Sequence, residues 1–130
     1  MRSAVWLVAM CLWLASAPAW AEQGPALSGY LVDDQGQKIE VAAFLKLLPR
    51  YPCVYEDSEM SIPLKEVKSL TRLPDGRVRV ETREGKSLVV VGEMGISYTT
   101  MLPYRFRDPL TGKLQEAEID PVLVQRIVFD

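Results

Sequence analysis

Arg77, Arg79 and Arg83 form the most concentrated set of side chains in this sequence with chemistry to offer, with Arg72 and Lys86 nearby. They interleave with Val78, Val80 and Thr82. An extended strand sends alternate residues to opposite faces, so this spacing puts the arginines on one face and the apolar residues on the other. Guanidinium forks on one face can grip phosphate or carboxylate two bonds at a time. Single-stranded nucleic acid, lipopolysaccharide, an acidic glycan or an acidic protein are the ligand classes this chemistry suits. Glu81 sits among the arginines and balances them, and long arginine stems also serve to cover a sheet. The strand lacks the aromatic stacking platform that single-stranded nucleic acid needs, so no nucleic-acid partner is expected.

The other reactive residue types point away from catalysis. There is no histidine, which removes Ser-His-Asp and Cys-His catalysis, histidine-bearing zinc sites and the commonest general base near neutral pH. Asp33-Asp34 and Glu56-Asp57-Ser58-Glu59 are acidic, yet neither has the twelve-residue loop and closing Glu of a strong calcium signature. Both read as solvated turn tips, and no metal or cofactor is expected. Two carboxylates facing across a cleft would support glycoside hydrolysis, but a domain this small has little room for the cleft that raises one of them. The chain is therefore expected not to be an enzyme, with a carboxylate-dependent hydrolase as the weaker alternative.

Cysteine usage and the opening residues concern where the protein works. Residues 1–21 begin Met1-Arg2-Ser3, continue through an uncharged apolar run and end in Ala19-Trp20-Ala21. One basic residue, a short greasy core and small residues before Glu22 are what a secretory leader requires, so cleavage after Ala21 is expected. An uncleaved anchor is the competing reading, since residues 4–21 carry no charge, but Pro18 and the Ala-x-Ala pair oppose it. Export to the periplasm or the medium follows. Residues 22–130 then form a single domain with 14 basic and 17 acidic residues, a net charge of −3, which disfavours wholesale binding to nucleic acid or anionic membrane. Its one cysteine, Cys53, has no internal partner. Cys53 is expected in the core of a strand, with an intermolecular disulfide or reactive thiol as the alternative.

The elements that must position these groups read as all-β, because short apolar or alternating runs are broken every eight to twelve residues by turn chemistry. Residues 29–32 and 37–41 form a hairpin around Gly36, and residues 53–56 and 60–62 form another around the acidic tip. Residues 65–67 make one turn and residues 69–73 a strand. Residues 77–83 and 87–91 make the clearest hairpin. Its second strand is apolar on both faces, which predicts a central strand or one lying under a loop. Strands are also expected over 96–102, 104–107, 113–119 and 124–129. Residues 41–48 are ambiguous: Val41, Phe44, Leu45 and Leu48 fit helical spacing, so a short helix competes with a continuing strand. Tyr104 and Phe106 are expected in the core, and Tyr55 and Tyr98 at the surface.

Ile62-Pro63-Leu64, then Val67 and Leu70, is echoed by Ile119-Asp120-Pro121, then Val124 and Ile127. Each reads as a short strand, a proline-marked turn and a further strand. The run from Ile62-Pro63-Leu64 through Val67, Leu70 and Asp75-Gly76 resembles the small Sm-like or SH3-like barrel modules of exported bacterial proteins. The likeness covers residues 61–91. It implies a small, strongly bent antiparallel sheet or barrel that serves in binding or assembly, and it carries over no site residue. The expected function is a non-enzymatic β module that binds another envelope or secreted protein through a sheet edge or the Arg77, Arg79 and Arg83 face. A binding module for an anionic glycan or lipid headgroup is the alternative.

Overall fold

The computed structural model describes residues 24–130, and the leader expected over residues 1–21 lies outside them. Ten strands follow in chain order: β1 (Leu27–Asp33), β2 (Lys38–Phe44), β3 (Arg50–Tyr55), β4 (Ser58–Pro63), β5 (Val67–Arg72), β6 (Val78–Thr82), β7 (Ser87–Val90), β8 (Leu102–Arg107), β9 (Leu114–Ile119) and β10 (Val124–Phe129). The expected all-β class holds. Eight strands make one antiparallel sheet in the order β7-β6-β5-β10-β1-β2-β8-β9, and β3 pairs with β4 as a separate hairpin. The large sheet is open and not a closed barrel. Among the described residues no helix is long and apolar enough to cross a membrane.

One core holds the sheet together. Leu31 of β1, Leu70 of β5, Val80 of β6, Leu102 of β8 and Ile127 of β10 are all fully buried in the same cluster. An eight-stranded sheet is about 34 Å across at 4.8 Å per strand, more inner face than the single β3–β4 hairpin can cover. The sheet therefore has to curve over its own inner face, with Tyr51, Cys53 and Ile62 of the hairpin filling the gap.

The centre of the sheet has an internal two-fold arrangement. Strand β4, a 3-10 turn at Leu64–Glu66 and β5 match β9, a 3-10 turn at Pro121–Leu123 and β10. Strands β5 and β10 pair with each other: Leu70 lies opposite Ile127, flanked by Thr71 opposite Arg126 and Ser69 opposite Val128. One constant offset carries Ile62, Val67 and Leu70 onto Ile119, Val124 and Ile127, so Leu70 faces its own counterpart. The echo in the sequence thus corresponds to repeated local geometry. The two turns differ in what they bury. Leu64 is fully enclosed in the core, whereas Val122 and Leu123 are exposed.

Of the two readings open for residues 41–48, the continuing strand holds over residues 41–44, and two other expectations need correction. Residues 41–44 are the end of strand β2, where the β1–β2 register slips between Leu27 and Gly29. This bulge puts an extra residue on β2, so Val41 and Phe44 both reach the core at a spacing that imitates a helix turn. Gly29 makes the slip possible, since it holds φ near 152° and a Cβ there would fall on the Val128 carbonyl oxygen. Residues 96–101 form no strand beyond a bridge from Ser97 to Leu47. The Thr99 main-chain N–H donates to Ser97 Oγ at 3.1 Å and the Thr99 hydroxyl donates to the Met101 carbonyl at 2.8 Å. These local hydroxyl bonds give the backbone an alternative to a ladder. Finally, β7 is not central, since it ends the large sheet.

Candidate functional site

The three sequence-predicted arginines differ in position and bonding. Arg77 precedes β6 and is held by Asp75, with Nε at 2.7 Å from Oδ2 and the Arg77 main-chain N–H donating to Oδ1 at 3.0 Å. Those two bonds, the main-chain one first, hold the Asp75 carboxyl below its ordinary range. Arg83 lies past the end of β6, and donates to the Lys65 carbonyl at 3.1 Å and to the Asp130 main-chain oxygen at 2.6 Å. Arg79 alone stays within the strand, exposed and without a carboxylate partner among the described residues. Its register neighbours are Val89 on one side and Thr71 on the other, and Thr71 lies opposite Arg126. Arg79 and Arg126 therefore share one face two strands apart, about 10 Å by strand spacing. Sequence reading missed Arg126, whose place depends on the long-range β5–β10 register.

Cys53 lies on β3 opposite Met60 and is buried, as expected. Burial pushes its thiol up from the ordinary range, so little of it is the reactive thiolate. It lines a cleft of ≈ 460 Å³ with Tyr51, Met60 and Val91. The Tyr51 hydroxyl donates to the Glu93 carbonyl at 2.8 Å. Its acidity is weakened first by burial and then by the negative charges that Cys53 and Glu93 would carry. Tyr98 is exposed as expected, Tyr104 is buried, and Tyr55 is partly buried against the core. Among the described residues no group of three or more acidic or thiol side chains could hold a metal ion.

The edge of β7 brings an apolar strand together with the acidic turn of the β3–β4 hairpin. The hairpin β3–β4 meets this part of the sheet through a single bridge, in which Val54 N–H donates to Val91 O and Val91 N–H to Val54 O, both at 2.9 Å. Outward hydrogen bonding at Val91 fixes the parity of β7. Ser87 and Val89 also point their N–H and C=O away from β6, while Leu88 and Val90 bond inward opposite Val80 and Val78. Beyond the bridge the hairpin diverges from β7 and leaves a groove of ≈ 470 Å³. One wall is Val54, Tyr55, Glu56 and Asp57, and the floor is the edge from Ser87 to Val91. No charge interrupts that edge, and Val91 is 60 % exposed.

The opposite edge of the sheet is built differently. Strand β9 is charged, with Glu116 and Glu118, and Glu116 is engaged by Arg105 at 3.2 Å. Charged side chains on an edge discourage pairing with other chains, and β7 lacks that protection. No protein-family model matches this chain, and no curated protein or solved structure matches it either.

Proposed function

We propose that this chain is an exported, non-enzymatic β module that binds another protein by accepting one of its extended segments along the edge of β7. The observation that carries this reading is the open pair of main-chain donors and acceptors at Ser87 and Val89 beside a groove, on a strand apolar on both faces. An incoming strand satisfies those groups and covers Leu88, Val89 and Val91, which combines main-chain hydrogen bonding with apolar burial. The export part of the proposal rests on the leader-like sequence of residues 1–21.

A photoreactive side chain introduced at position 89, in the cells that make the protein, tests the reading. Crosslinking to one defined partner, absent from a matching probe at position 118 on β9, is the expected result. Equal crosslinking from both edges, or a partner retained when Val89→Pro removes the outward N–H, contradicts it. An anionic ligand is the second reading, and Arg79 and Arg126 favour it as exposed arginines on one face. It predicts binding that weakens steeply with salt, because exposed charges are screened within about 10 Å at 0.1 M, and that is lost when both arginines become Ser.

A further inference from the structure

We infer that the segment taken up at the β7 edge belongs to a partner protein and carries basic side chains, selected by Glu56 and Asp57; this rests on the strand-addition reading above. The two carboxylates stand on the wall of the groove, beside the stretch of edge where Ser87 and Val89 have free main-chain groups. Neither Glu56 nor Asp57 is in an ion pair with any described residue. Arg77, the one cation lining the groove, is already bonded to Asp75. A lysine or arginine on an incoming strand therefore meets two uncompensated negative charges, while an acidic segment is repelled by the same pair.

The same geometry argues against a second copy of this chain as the occupant. Pairing of two β7 edges would bring the acidic hairpin tips of both copies into the shared groove, and the tip of each copy would obstruct the other. Like charges brought together at an interface reject that partner, which leaves a heterologous, basic segment. Alternation suits it: one side of the added strand turns inward toward Leu88 and Tyr55, both partly buried against the core, and the other side meets solvent and Arg79's face. Leu88 and Tyr55 call for an apolar residue, so the basic residues occupy the positions that pass the hairpin tip.

Amide chemical shifts of the full-length chain, titrated with a capped hexapeptide of alternating Val and Lys and separately with its Val and Glu counterpart, test this. The Val/Lys peptide is expected to perturb Ser87 and Val89 and to bind about tenfold more tightly than the Val/Glu peptide, a ratio that two partly screened charge pairs supply. The Glu56→Gln, Asp57→Asn double variant is expected to remove that preference, and Val89→Pro to abolish binding of both. Equal binding of the two peptides at the edge overturns selection by charge and leaves strand addition standing. Binding that survives Val89→Pro, or that perturbs no edge amide, overturns strand addition itself. Sedimentation showing a dimer that Val89→Pro dissolves would overturn the exclusion of a second copy.

Discussion

Two neighbouring proline substitutions on β7 should differ sharply in cost. Leu88 bonds inward in the ladder opposite Val80, so Leu88→Pro removes a ladder hydrogen bond and forces a ring into the β6–β7 pairing. Proline in that setting costs about 3 kcal/mol or more. Val89 points its N–H outward, so Val89→Pro deletes no ladder bond, and Leu88 before it is already extended as a residue preceding proline must be. Its cost is the loss of a half-buried side chain, about 1 kcal/mol. For a domain near 100 residues each kcal/mol shifts the melting temperature by about 4–8 °C. Thermal unfolding followed by far-ultraviolet circular dichroism should then show Leu88→Pro falling by about 12–24 °C and Val89→Pro by a few degrees. Equal falls would place the free amides elsewhere and refute the parity argument from which the edge site is built.

Other consequences of the structure can be measured on the same protein. The β3–β4 turn holds Glu56 at φ near 50° and Asp57 at φ near 65°, both costly for residues with a Cβ, so Asp57→Gly should raise stability by about 1 kcal/mol in urea unfolding. Cys53 should react with a disulfide reagent only on unfolding and run as a monomer in a non-reducing gel, given its burial and the weakened acidity of its thiol. Tyr51→Phe should cost about 1 kcal/mol at neutral pH by deleting the bond to Glu93. Tyr51 ionises less readily when folded, so its contribution is complete below its unfolded value of 10.0 and declines as pH rises above it. A pH series of unfolding curves should show stability falling beyond pH 10, and a shallower fall in Tyr51→Phe.

How far the sequence revealed all this depends on whether local or long-range forces set each feature. The β6–β7 hairpin was legible because Val78 and Val80 alternate with Arg79 and Glu81, and a half-buried strand has no other way to satisfy both faces. The β2 end was not, because the bulge opposite Gly29 turns period two into an apparent helical step at Val41 and Phe44. Residues 96–101 misled because Ser97 and Thr99 spend their hydroxyls on nearby backbone, a choice invisible in apolar patterning. The apolar run of β7 predicts a central strand or one lying under a loop, and gives no sign of an edge. Apolar faces report burial, and only the partner on the far side distinguishes an interior strand from an unprotected edge. The arginines were legible as a strand face but not as separately bonded groups, since Asp75, Lys65 and Asp130 reach them through turns and chain ends.

Amide hydrogen exchange at four consecutive residues of β7 tests the central claim most directly. In the free protein Ser87 and Val89 should exchange rapidly while Leu88 and Val90 are protected by β6. When the Val/Lys peptide or the crosslinked partner is bound, Ser87 and Val89 should become protected as well. Protection of Ser87 and Val89 in the free protein, or exchange there that binding leaves unchanged, would contradict an edge that receives a strand.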